Sequence, residues 1–214
     1  MNFRQREREQ VKTKIAILGG SFNPIHLGHI AIAKAAHLLV GADILIMPNS
    51  KTYYKQNHNA VTDEMRCDMI KLAIKDYPYM KLSTMEIDRG GETHTIDTIN
   101  EIEASFKEKS EEAEIYFIIG GDSLAYLDKW IAAEELFKKT IFLTAVRDDV
   151  DCEKTMLLIE KYKRLYGARI EMLQTDNYAI SSTAIRKMAA EKSCLTAFVP
   201  EAVAEYIELH GIYD

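Results

Sequence analysis

Residues 15–30, "IAILGGSFNPIHLGHI", decide how this chain folds. The opening apolar run is short and unbroken, the pattern of a strand covered on both faces. Gly19 and Gly20 end it, and a turn containing Pro24 follows. The chain then enters "HIAIAKAAHLLVG" (29–41), helical, with Lys34 and His37 three apart on its wet face and Gly41 as a stop. The same theme of strand, glycine pair and helix entry returns at 114–123, "EIYFIIGGDS".

Outward from this stretch the alternation continues. "DILIMPN" (43–49), "MKLSTMEI" (80–87), "TIFLTAVR" (140–147) and "ARIEML" (168–173) read as strands. "TDEMRCDMIKLAI" (62–74) opens on a threonine cap and early acids, and its apolar residues repeat at helical spacing. "THTIDTINEIEASF" (93–106) places Ile96, Ile99, Ile102 and Phe106 on one helical face. Further helices are expected in "EKTMLLIEKYKRLYG" (153–167), "AISSTAIRKMAAEK" (179–192) and "VPEAVAEYIELHG" (199–211). Strands alternating with helices predict an α/β fold: a doubly wound, mainly parallel, Rossmann-like sheet with helices on both faces. Nothing in the composition marks a second domain, so one domain is expected over 13–214. A polar extension, residues 1–12, precedes it; it carries charge but no apolar run, and so is not a signal peptide.

The net charge of −6 gives no field that would attract nucleic acid or an anionic membrane, so a polyanionic ligand needs a local basic site. No apolar stretch is long enough to span a bilayer. Cys67, Cys152 and Cys194 have neither metal nor redox spacing and read as reduced thiols, which points to a cytoplasmic protein. The composition leaves a homo-oligomer open.

In an open parallel sheet ligands bind beyond the carboxyl ends of the strands. Four polar, non-periodic segments fall there: "GGSFNPIHLGH" (19–29), the loop 50–60, "GGDS" (120–123) and "ISSTAIR" (180–186). Gly19 and Gly20 allow close backbone approach, and N–H groups at a turn and a helix start suit an anion. Neither the P-loop pattern nor the dinucleotide G-x-G-x-x-G is present. What remains is H-x-G-H, His26 to His29: two imidazoles on one helical turn that can donate to phosphate oxygens and become cationic beside a polyanion, with Gly28 leaving room between them. As alternatives, His26 and His29 form a helix cap, Arg186 lies on a helix surface, Trp130 packs in the core, and Asp122 and Thr95 cap helices. His37, His58 and His210 read as exposed residues without a role.

"GGSFNPIHLGHI", "MPN" (47–49), "THTIDT" (93–98), "FIIGGDSLAYLDKW" (117–130) and "ISSTAIR" together resemble the bacterial nicotinate-nucleotide adenylyltransferases of the HxGH nucleotidylyltransferase superfamily. The resemblance runs from about residue 14 onward, in the expected order. It implies adenylyl transfer: the phosphate of nicotinate mononucleotide attacks the α-phosphorus of ATP, pyrophosphate leaves, and deamido-NAD forms without a covalent enzyme intermediate. By the same resemblance His26, His29 and Arg186 are catalytic, with His29 nearest the reacting centre and Arg186 on the β- and γ-phosphates. Gly19, Gly20, Ser21, Phe22, Gly28, Asp122, Ile180, Ser181 and Ser182 fall on the ATP side, and Thr95, Tyr126, Trp130, Lys55 and Arg147 on the acceptor side. Mg²⁺ is expected to arrive with ATP, carried by phosphates and water, so that no metal ligand is expected from the chain.

The family loop commonly carries "PPHK" after Pro-Asn, where this chain has "KTYYK" (51–55). His94 stands where a tyrosine is usual, and Asp148 and Asp149 follow Arg147 where Pro-Gly is common. These departures fall on the acceptor side and keep two alternatives open: transfer to nicotinamide mononucleotide or pantetheine phosphate, and a non-catalytic nucleotide-binding paralogue.

Overall fold

A computed structural model describes residues 12–50, 61–146, 149–175 and 180–214. In chain order the strands are β1 (Thr13–Gly20), β2 (Asp43–Pro48), β3 (Met80–Leu82), β4 (Ala113–Gly120), β5 (Thr140–Val146) and β6 (Arg169–Gln174). The helices are α1 (Leu27–Val40), α2 (Asp63–Ile74), α3 (Met85–Arg89), α4 (Thr95–Glu108), α5 (Gly121–Leu124), α6 (Ala133–Lys139), α7 (Asp149–Tyr166), α8 (Ser182–Ala190) and α9 (Glu201–Leu209).

The six strands form one sheet in the order β3-β2-β1-β4-β5-β6, and every neighbouring pair is parallel. From β1 the chain winds outward to β3, then returns past β1 to β4 and winds the other way. The reversal falls between β1 and β4, paired from Thr13↔Ala113 to Leu18↔Ile118, and it opens a crevice at their carboxyl ends.

Both faces of the sheet are covered, which explains the unbroken apolar strands. Alternate residues of one strand feed two separate cores. Ala16 and Leu18 of β1 join Tyr116 and Ile118 of β4 in a cluster closed by α1, α2, α8 and α9 through residues such as Ile30, Met69, Ile185 and Val203. Ile17, Phe117 and Phe142 face the other way, into a cluster with Ile99 of α4, Phe137 of α6 and Tyr162 of α7.

Two expectations are corrected. "MKLSTMEI" is not one strand: β3 stops at Leu82, and Met85–Arg89 is helical. The ladder to β2 ends where Ser83 N–H donates to Ile46 O (3.0 Å), and a local turn then takes over. In it Thr84 Oγ1 donates to Asp88 (2.7 Å), while Asp88 N–H donates back to Thr84 O (2.8 Å). His37 is not a free surface residue either. It is half-buried, stacks on Tyr79 with centroids 3.7 Å apart, and its Nδ1 lies 2.8 Å from Ala42 O.

Gly41 ends α1 at φ 68 and donates to His37 O at 2.8 Å. A Cβ there would meet nothing within 4 Å, so its cost is conformational alone. Gly41→Ala should therefore lower stability by about 1 kcal/mol, a fall of roughly 2–4 °C in thermal midpoint by calorimetry.

Candidate active site

A cleft of about 790 Å³ opens at the reversal point, within the size range of small-molecule sites. One wall is Gly19, Gly20 and His29, with Asn49 and Ser50 from the end of β2. The rest of the lining includes Glu86 of α3, Thr93 before α4, Thr95 at its start, and Phe117, Gly120, Ser123 and Trp130. Five of the residues singled out from the sequence thus share one cavity: Gly19, Gly20, His29, Thr95 and Trp130.

The glycine pair works through close approach. A Cβ on Gly20 would lie 3.2 Å from Phe22 Cζ, tighter than ordinary contact. Phe22 itself is buried, at φ 45, and its ring meets His29 edge-on with centroids 4.9 Å apart. Carbonyls of the adjoining loop are held from outside it. Ser21 O accepts from Arg66 Nη1 (2.7 Å), Asn23 O from Arg186 Nη1 (2.8 Å), and Pro24 O from Ser182 Oγ (3.0 Å). In a trans peptide the N–H points opposite its carbonyl, so holding Ser21 O on one side turns the Phe22 N–H to the other.

His26 is the N-cap residue of α1, and its backbone N–H donates to His29 Nδ1 at 3.2 Å. A nitrogen that accepts carries no proton, so His29 is the Nε2–H tautomer and Nε2–H is the donor left for a ligand. The two rings stack, 3.7 Å between centroids and 23° between planes. His26 is buried, whereas His29 is the one that lines the cleft. Burial, and secondarily the neighbouring His26, hold His29 down at about 3, so the unliganded site keeps this imidazole neutral. The ring is thus neutral at rest, and the charge expected beside a polyanion has to come with that polyanion.

The sign of the pH dependence follows. Between about 6.5 and about 3 the unfolded chain binds the His29 proton and the folded chain does not. Stability from this group is whole above that window and is withdrawn as pH falls through it, by up to about 1.4 kcal/mol per pH unit. Imidazole nitrogen NMR of the ligand-free protein at pH 5 should show His29 as the neutral Nε2–H form; a doubly protonated ring there would refute the assignment.

The remaining sequence candidates divide. Arg186 spends two of its five donors, on Asn23 O and Thr183 Oγ1 (3.0 Å), leaving three. Ser181 caps α8 by accepting from Ala184 N–H at 3.2 Å, and Ser182 is tied to Pro24. Arg186 and Ser182 reach the loop; neither they nor Ile180 and Ser181 line the cleft, and Gly28 is buried in the first turn of α1. Asp122 is exposed on α5 and does not cap it, since Gly120 holds that position. Tyr126 is exposed, with Lys129 Nζ 5.2 Å from its ring centroid. Thr95 is the first residue of α4 and His94 is its N-cap. Trp130 is half-buried, lines the cleft and packs edge-on against Phe117 and Phe142 (6.0 and 6.4 Å), which combines the two readings the sequence left open. Lys55, Arg147 and the "KTYYK" loop lie outside the described residues.

Arg66 escaped the sequence reading. It is 5% exposed inside α2 and donates to Ser21 O, Asn49 Oδ1 (3.3 Å), Asn49 O (2.6 Å) and Asp63 Oδ1 (2.8 Å). An arginine on an amphipathic helix looks solvated in one dimension, and only the tertiary path shows it joining the ends of β1 and β2.

The all-parallel sheet carries H-x-G-H just beyond the end of β1, at its reversal point, and residues 17–188 match the cytidylyltransferase-like family. The chain is 39% identical over 204 residues to a probable nicotinate-nucleotide adenylyltransferase of Lachnoclostridium phytofermentans, covering 94% of this chain and 98% of that protein. It is 35% identical over 209 residues to one from Dehalococcoides mccartyi, covering 95% and 98%. The chain belongs to the nicotinate-nucleotide adenylyltransferase family. In fold it superposes on a Plasmodium falciparum nicotinic acid mononucleotide adenylyltransferase complexed with NaAD, with TM-score 0.76 at 18% identity over 94% of this chain and 98% of that one. Among the described residues no helix is long and apolar enough to cross a membrane.

Proposed function

We propose that this chain transfers the adenylyl group of ATP to nicotinate mononucleotide, giving deamido-NAD and pyrophosphate in NAD biosynthesis. The observation that carries the reading is the shared cleft: His29, the glycine pair, Thr95 and Trp130 all line one cavity. An acceptor phosphate oxygen bonds to the α-phosphorus as the bond to pyrophosphate breaks, in line, with no protein nucleophile. Such a reaction asks for two polyanions held in position and for donors where charge develops.

His29 Nε2–H and the backbone N–H groups of Gly19 to Phe22 act on the ATP phosphates, and His26 braces the His29 ring. Arg186 offers its remaining donors to the β- and γ-phosphates. Ile180, Ser181 and Ser182 border the nucleoside, with Asp122 near it. In the same cleft Trp130 takes the pyridine face, Tyr126 flanks it, and Thr95 with adjacent N–H groups reads the carboxylate; Lys55 and Arg147 complete the acceptor side. Mg²⁺ enters as part of the MgATP substrate, carried by phosphate oxygens and the water it sheds reluctantly. A reducing, cytoplasmic setting fits the three free thiols. The reading also takes residues 13–214 as one domain, with ATP and nicotinate mononucleotide as partners and neither nucleic acid nor membrane.

The test is pyrophosphate release with ATP and Mg²⁺, comparing nicotinate mononucleotide, nicotinamide mononucleotide and pantetheine phosphate. Preference for nicotinate mononucleotide is the expected result. Turnover with another acceptor alone would keep the chemistry and replace the substrate. Silence with all three would overturn the reading.

A further inference from the structure

The loop after β1 has a fourth tie, and it comes from beyond α9. Tyr213 Oη donates to Asn23 Oδ1 at 2.6 Å across 190 residues of sequence. The same Asn23 offers its backbone carbonyl to Arg186. One loop residue is thus gripped at its side chain by Tyr213 and at its main chain by the arginine assigned to the phosphates.

The placement of Tyr213 is specific. Ile212 is buried in the core cluster beside α8 and α9, and its N–H donates to Ile207 O at 3.0 Å, which anchors the segment. Tyr213 then adopts φ 77, a left-handed conformation that costs a side-chain-bearing residue on the order of 1 kcal/mol. Burial pushes its phenol well above the usual range, while Arg186 and Arg66 lie near enough to oppose the shift. The hydroxyl stays protonated and donates to Asn23 Oδ1, and both guanidiniums that hold the same loop act on it electrostatically.

We propose that Tyr213 is a positioning residue for the triphosphate: by fixing the Asn23 side chain it fixes the carbonyl that aims Arg186, so that loop and arginine are preformed before ATP arrives. This rests on the adenylyltransferase reading for the role of Arg186, not for the tie itself.

Tyr213→Phe removes one hydroxyl and keeps the ring. The expected result is an ATP Kd by calorimetry, and an ATP KM, raised on the order of five- to tenfold. The KM for nicotinate mononucleotide should stay within about twofold and the thermal midpoint within about 2 °C. In a cycle with Asn23→Ala, the double variant should bind ATP no worse than Asn23→Ala alone. Unchanged ATP affinity, equal losses for both substrates, or additive effects in the cycle would each overturn the proposal. Calorimetry with ATP alone keeps this test separate from that of the reaction. Wild type that binds ATP but turns over no acceptor defeats the functional reading and leaves the Tyr213 comparison readable.

Discussion

His29→Ala is expected to lower kcat by about a hundred- to a thousandfold, the usual consequence of removing one aimed donor from a transition state. The fold should survive. His29 is half-buried at the cleft, and the variant loses a stack on His26 and one acceptor for the His26 N–H, about 1 kcal/mol and a few degrees of thermal midpoint. His29→Gln offers an amide donor and should recover part of the loss. Pyrophosphate release and a melting curve on the same preparation decide it: folded protein with wild-type turnover would remove this imidazole from the mechanism.

Arg66→Met is expected to cost about 3 kcal/mol, or roughly 6–12 °C of thermal midpoint, well beyond a surface substitution. The methionine keeps most of the aliphatic bulk, so the loss isolates the guanidinium. Ser21 O and Asn49 O lose their donor, and Asp63, ion-paired to Arg66 at 2.8 Å, is left without its cation. Since Ser21 O then no longer fixes the peptide that carries the Phe22 N–H, ATP affinity should fall as well. Arg66→Lys restores charge but not the fork, and should recover stability to Asp63 more than ATP affinity. A melting point unchanged in Arg66→Met would mean that these bonds are replaced by water at no cost.

The contrast between Arg66 and His29 shows what one dimension of sequence holds. The β1–loop–α1 unit was legible because each part has a local cause: an apolar run, a glycine pair, a helix with its αL stop at Gly41. The doubly wound sheet followed from alternation, although strand order needs contacts between residues far apart. Gly19, Gly20 and His29 were legible by type and spacing, and Thr95 and Trp130 by family resemblance. Arg66, Asn49, Glu86 and Tyr213 were not, since the contacts that place them are with residues 12 to 190 positions away. β3 was drawn too long because Met85 and Ile87 continue an apolar pattern, while the Thr84–Asp88 turn that ends it is a local hydrogen-bond competition. α6 follows an N-cap residue, Ala132, in a left-handed conformation with no side-chain cap, so no start signal announced it.

The ties on the loop after β1 have a temporal consequence. Ser182, Arg186 and Tyr213 reach it across 158, 163 and 190 residues. Contacts so distant in sequence are the slow ones to form, because the loop-closure entropy of the intervening chain comes first. A nascent chain that has folded β1 to β6 thus still lacks the ties that, on the adenylyltransferase reading, shape the proposed ATP site. Competence to bind nucleotide should appear as the last folding event, once α8, α9 and the segment carrying Tyr213 have docked, and emerging polypeptides would not sequester ATP.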